Sequence, residues 1–110
     1  MAFQVELSRR AANDIEEIFQ YIEVESDAPM NAARWRRGLE KQLLRLTFLA
    51  GNMPFAEENR HAPCVVRQML FGKFRILYTV QSDVAFVLTI RHGHRLPISA
   101  AELNRIWKQK

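Results

Sequence analysis

The stretch "VRQMLFGKFRILYTVQSDVAFVLTIRHGHR", residues 66–95, decides the fold. Beginning just ahead of it, "CVVRQML" (64–70), "FRILYTV" (74–80) and "VAFVLTIRH" (84–92) are rich in β-branched and aromatic side chains, which suit a pleated surface. The joints "FGK" and "QSD" are short enough for antiparallel hairpins. Alternate residues of a strand point to opposite faces. In the middle strand Phe74, Ile76, Tyr78 and Val80 therefore share one side, and Arg75, Leu77 and Thr79 the other. In the last, Val84, Phe86, Leu88, Ile90 and His92 share one side, and Ala85, Val87, Thr89 and Arg91 the other. The first set in each strand reads as core, which places Arg75 and Arg91, with Arg67 beside them, on the opposite face.

Upstream, "FQVEL" (3–7) alternates as a short strand, and Ser8 suits the N-cap of a helix. Ala11, Ile15, Ile18, Phe19 and Ile22 fall on one face of that helix, with Asp14, Glu16, Glu17 and Glu23 largely elsewhere. Pro29 opens a second helix, in which Trp35, Leu39, Leu43, Leu46 and Ala50 form the apolar stripe and Arg34, Arg36, Arg37, Lys41 and Arg45 cover the rest. The pair predicts a helix hairpin with one acidic and one basic member. "GNMPFAEENRHAP" (51–63) reads as a surface loop. The segment Ser99 to Lys110 reads as a helix, with Ser99 and Glu102 at capping-box spacing and Leu103, Ile106 and Trp107 on one side. The order β-α-α-β-β-β-α predicts an α+β fold: an N-terminal strand, a helix hairpin packed on one face of an antiparallel sheet, and a C-terminal helix, with the other sheet face free. The expected core is Ile15, Phe19, Ile22, Trp35, Leu39, Leu43, Ile76, Tyr78, Phe86 and Leu88.

A chain of 110 residues, 48% hydrophobic and 25% charged, has room for one core, so residues 1–110 read as a single domain. No apolar run approaches the ~20 residues of a membrane span, and the N-terminus has no signal-like apolar core. A cytoplasmic protein without a membrane partner is expected. Cys64, the single cysteine, excludes an intramolecular disulfide and a cysteine-based zinc site. The net charge of +4 is unevenly placed: residues 1–59 carry seven Lys/Arg against ten Asp/Glu, and residues 60–110 carry nine against two. The basic second half points to an anionic partner, a nucleic acid or an acidic protein segment.

"IRHGHR" (90–95) concentrates that charge. A His-x-His pair on a strand is good metal geometry, and His61 is a conceivable third ligand, but Arg91 and Arg95 repel a cation and no carboxylate is near in sequence. No metal and no cofactor is expected. A histidine suits proton transfer near neutral pH, and neighbouring arginines suit a phosphate, so Arg75, His92 and Arg95 form the candidate set for a metal-independent ribonuclease. The alternatives are a target-binding basic surface of Arg67, Lys73, Arg75, Arg91, His94 and Arg95, or charges that only keep a free sheet face soluble.

With strand, helix hairpin, loop and three strands in this order, the sequence resembles the RelE/ParE superfamily of type II toxin–antitoxin toxins, the plasmid stabilisation proteins. The likeness is carried by "FRILYTV", similar to the family's "YRILY.V", and by "IRHGHR", similar to the "HG.R" that closes the last strand of many ParE-like members. It implies a small toxin neutralised by a cognate antitoxin. RelE-like members are ribosome-dependent mRNA endonucleases with a lysine pair, sheet arginines and a C-terminal tyrosine. Arg75 and Arg95 match the arginines, but "CVVRQML" has no lysine, and Tyr21 and Tyr78 are the only tyrosines. ParE-like members are not hydrolases and trap DNA gyrase on cleaved DNA. The resemblance therefore favours a ParE-like gyrase inhibitor that arrests growth. The alternatives are a RelE-like nuclease acting on ribosome-bound mRNA, and an inactive relative that only binds its antitoxin. On either toxic reading, Arg75→Ala with Arg95→Ala is expected to leave stability nearly unchanged and to abolish growth arrest.

Overall fold

A computed structural model describes residues 2–109. Strand β1 (Gln4–Leu7) leads into helices α1 (Arg9–Ser26) and α2 (Pro29–Leu49), a 3₁₀ turn (Glu57–Arg60), strands β2 (Arg67–Phe71), β3 (Phe74–Gln81) and β4 (Val84–His92), and helix α3 (Ala100–Lys108). The order expected from sequence is this one, and the fold is α+β. The expected end of the last helix at Lys110 lies outside the described residues. No helix among them is long and apolar enough to cross a membrane.

Local chemistry sets the boundaries. Ser8 caps α1 by accepting from the Ala11 N–H at 2.9 Å, and its hydroxyl donates to the Leu88 carbonyl at 2.7 Å, tying the helix start to β4. Asp27, in the left-handed region (φ 50°), ends α1, and Pro29 begins α2, where a missing N–H costs nothing. Ser99 caps α3 through the Glu102 N–H, while the Glu102 carboxylate reaches Arg10 on α1 instead of closing a capping box.

The sheet runs β1-β4-β3-β2. β2, β3 and β4 are antiparallel hairpins, and β1 joins the β4 edge in parallel, so the sheet is mixed rather than wholly antiparallel. β2 starts at Arg67 rather than Cys64. Val66 is held by the loop instead, accepting from the Ala56 N–H and donating to Asn59 Oδ1, both at 2.9 Å.

A bulge decides which side chains meet the helices. Leu77 pairs with Thr89 but Tyr78 pairs with Val87, leaving Leu88 as the extra residue in β4. Parity along β4 therefore switches. Ala85, Val87 and Ile90 join Ile76 and Tyr78 under α1 and α2, with Leu39 and Leu46 above them and Ile15, Trp35 and Leu43 at the margin. Phe86 and Leu88 are buried as expected, but on the opposite face, where Leu77 joins them beneath Ala56, Val66, Ile98, Leu103 and Ile106. The second face is thus not free: it is roofed by α3 and the segment 56–66, which makes the molecule three layers deep. Phe19 and Ile22 are half-buried on α1.

Asp14, read as part of the polar side of α1, is buried. Its carboxylate accepts from the Thr89 hydroxyl, from the Ile90 N–H at 3.0 Å and from Arg10 Nε at 3.2 Å, so it satisfies β4 backbone beyond Val87, the last residue that β1 pairs. Tyr78 is fully buried, and its hydroxyl donates to the Ala50 carbonyl at 2.6 Å, locking the end of α2 to the sheet. Burial pushes the phenol up to about 12, with Arg67 opposing weakly. Tyr78→Phe is expected to lose about 1 kcal/mol in chemical denaturation, the net worth of one buried hydrogen bond. A change of a few tenths would deny this bond its role.

Candidate functional site

Two groups of cations occupy the end of the sheet where β3 begins and β4 ends, and they differ in what holds them. In the first, Arg75 and Arg91 are directly opposed across β3 and β4. Both point into the layer between the sheet and its α3-side roof. Glu58, on the 3₁₀ turn, is 0% exposed and grips Arg75 with two parallel bonds, Nη1 to Oε1 at 3.0 Å and Nη2 to Oε2 at 2.8 Å. The same carboxylate accepts from the Ile98 N–H at 3.0 Å, so one side chain joins the 3₁₀ turn, the sheet and the entry to α3. Burial alone would raise the Glu58 pKa, but the bonds from Arg75 and Ile98 more than offset it and the net shift is downward. The bond from Glu58 likewise raises the Arg75 pKa against the effect of burial.

Arg91 is 7% exposed and donates from Nη2 to the Leu96 carbonyl at 2.6 Å. Burial, then Arg95 and Arg75, lower its pKa. Arg75 and Arg95 each lie within electrostatic reach of Arg91. The free sheet face on which Arg75 and Arg91 were expected to stand does not exist, and the carboxylate that compensates Arg75 comes from a loop 17 residues away.

The second group rims an apolar groove of about 820 Å³ between the tip of the helix hairpin and the β2–β3 turn. Ile18, Tyr21, Ile22, Trp35, Phe71 and Phe74 form its walls, Glu17 borders it on α1, and Lys73, His92 and Arg95 stand at its mouth. The aromatics brace one another: Trp35 meets Phe74 edge-on at 5.7 Å, and Phe74 meets His92 edge-on at 5.6 Å. His92 stacks on His94 at 5.0 Å and accepts the His94 N–H at Nδ1, which leaves the proton of a neutral ring on Nε2. The turn is drawn tight by the Gly93 N–H, which donates to the Lys73 carbonyl at 2.7 Å. A Cβ at 93 would stand 3.2 Å from that oxygen. Gly93 therefore serves a close approach of backbone, whereas Gly72, at φ 55°, serves the left-handed turn between β2 and β3.

A model of the ParE toxin of the type II toxin–antitoxin system parDE matches residues 5–97. The chain belongs to the ParE toxin family. Among solved structures, this ParE-family chain is similar to one from the chromosomal ParDE toxin–antitoxin system of P. aeruginosa, at 19% identity and a TM-score of 0.70, covering 83% of this chain and 96% of that one. It is also similar to a double mutant of the E. coli toxin RelE in the free state, at 17% identity and a TM-score of 0.53, covering 96% and 94%. At these identities the likenesses show the fold. No curated protein sequence matches the chain.

In this ParE-family chain the basic residues singled out from sequence divide three ways. Arg75 and Arg91 are interior. Arg67 is half-buried on the edge strand, donating to the Met53 carbonyl and lying 4.5 Å over the Phe55 ring. Lys73, His94 and Arg95 are exposed, and with half-buried His92 they form the cationic end of the groove. His61 is engaged at Nε2 with the Ile98 carbonyl, and among the described residues no group of three or more His, Cys, Asp or Glu converges.

Sequence reasoning missed Glu58 and the groove. The signal for Glu58 was available. Residues 60–110 hold only Asp83 and Glu102 as acids, so a buried arginine there had to draw its counter-charge from the first half. The groove walls carried no such signal, because Ile18, Trp35 and Phe74 read simply as core.

Proposed function

We propose that this toxin arrests growth by docking on DNA gyrase, in the ParE-like manner, and is neutralised by a cognate antitoxin that covers the same surface. The observation that carries the reading is the Glu58–Arg75 clamp. The sheet arginine that would face a scissile phosphate in a nuclease is held by both oxygens of one carboxylate that has no exposed surface. The exposed chemistry nearby is an apolar groove with a cationic mouth, a surface suited to burying side chains of a protein while Lys73 and Arg95 meet carboxylates or phosphates. A ribonuclease would have to work from the His92–His94 stack beside Arg95 and Lys73, without a lysine pair or a C-terminal tyrosine.

Induced expression in a bacterium tests the choice. Gyrase cleavage complexes and a DNA-damage response are the expected result. Site-specific cutting of mRNA within ribosomes, lost on His92→Ala, would reverse it.

On this reading the antitoxin presents an acidic and apolar segment. Raised salt is expected to slow its association, by about tenfold or more over the physiological range if steering is strong, and to change its release little. An association rate indifferent to ionic strength would remove the cationic mouth from the antitoxin's docking surface.

A further inference from the structure

The outer face of the helix hairpin, directed away from the sheet, carries on α2 three cations that the groove does not use, and on α1 Glu17, which also borders the groove. On α2 the residues Met30, Arg34, Arg37, Lys41, Leu44 and Phe48 are all exposed and recur at alternating spacings of four and three, which puts them on one stripe of a helix. Met30, Leu44 and Phe48 are 67%, 67% and 71% exposed, and among the described residues none of the three cations pairs with a carboxylate. The outer stripe of α1, Asn13, Glu17, Gln20, Val24 and Asp27, has the same spacing and the opposite charge, with Val24 77% exposed.

We infer that these two stripes are the halves of one self-complementary surface, and that the partner of the hairpin's outer face is a second copy of this chain. Three features carry it. The charges are complementary between helices of the same hairpin, so a two-fold axis running along the helices lays α1 of each copy on α2 of the other. The levels match as well. Arg36 lies 4.2 Å over the Phe19 ring and bonds Glu16 at 2.6 Å, which fixes the heights of the two antiparallel helices. Counting from that contact, Glu17 is level with Arg37, Gln20 with Arg34, Val24 with Met30 and Asn13 with Lys41. The pairing across the axis therefore sets the Glu17 carboxylate against Arg37, the Asn13 and Gln20 amides against Lys41 and Arg34, and Val24 against Met30. Finally, helices of this length give a face about 30 Å by 20 Å, about 1,200 Å² in total for the pair, the lower end of specific interfaces. A polyanion would satisfy the three cations but leave Met30 in water, which the dimer sets against Val24. Two α2 helices packed on each other would oppose like charges.

The test is the solution mass of the purified chain by sedimentation equilibrium, independent of any toxic activity. Wild type is expected to sediment at twice the chain mass in low salt and to dissociate as salt is raised. Arg37→Glu alone and Glu17→Arg alone are each expected to weaken self-association by about tenfold or more, since each places like charges together twice in the dimer. Both sites are exposed, so circular dichroism should stay native. The charge-swapped Arg37→Glu/Glu17→Arg chain is expected to dimerise again. A wild-type monomer at every concentration reached would overturn the inference. So would a double variant that does not recover, which would assign the α2 stripe to an acidic protein or a nucleic acid instead.

Discussion

Glu58→Ala is expected to remove about 3 kcal/mol of stability, because it leaves the largely buried Arg75 without a carboxylate and with only the Gln68 amide oxygen to accept from it. The Ile98 N–H loses its acceptor in the same step. For a domain of this size the total is about 5–15 kcal/mol, so the variant sits at the edge of folding. Urea unfolding should show a lower midpoint with an unchanged slope. Glu58→Gln keeps the shape and loses the charge, and falls between the two. The pH dependence follows from the same contact. The folded-state pKa of Glu58 lies below its ordinary 4.5, so its contribution is complete above that value and is lost as pH falls through the lower, folded one. Wild type should therefore lose stability on acidification more steeply than Glu58→Gln. If Glu58→Ala loses less than about 1 kcal/mol, Arg75 is compensated by some other means and the clamp does not hold the roof.

The largest functional effect is expected at the groove mouth. Lys73→Glu with Arg95→Glu should abolish growth arrest while shifting unfolding by no more than about 0.5 kcal/mol, since both side chains are exposed and neither joins an ion pair among the described residues. This pair replaces the Arg75→Ala/Arg95→Ala experiment that the sequence suggested. Arg75 belongs to the clamp, so that double variant is expected to unfold early, and its loss of toxicity would say nothing about target contact. Thermal unfolding and toxicity measured together separate the cases. A Lys73→Glu/Arg95→Glu chain that is stable and fully toxic would move the active surface away from the groove.

Much of the architecture was legible because it is written in local chemistry. The short joints at Phe71–Lys73 and Gln81–Asp83, the serine caps at 8 and 99 and the helical stripes of α1 and α2 each follow from a few adjacent residues. What escaped is long-range. "VAFVLTI" is apolar at nearly every position, so its alternation carries no mark of the extra residue at Leu88, and Phe86 and Leu88 were assigned to the wrong core. A face holding Leu77, Ala85 and Val87 was too apolar to stand free, and the apolar side of the last helix was the candidate roof. Alternation counts faces without saying what covers them. The candidate site suffered from the same gap. The exposed cations Lys73, His94 and Arg95 were named from the sequence alongside Arg75 and Arg91. Only the fold separates the three at the surface from the two inside.

The central claim is that this ParE-family toxin acts on gyrase, and the most direct measurement adds the purified chain to purified gyrase and relaxed plasmid and follows supercoiling and cleaved DNA. The account predicts that supercoiling falls and gyrase-linked cleaved DNA accumulates in proportion to toxin, and that the Lys73→Glu/Arg95→Glu chain does neither. Unaltered supercoiling at saturating toxin, together with site-specific cleavage of mRNA on purified ribosomes, would contradict it.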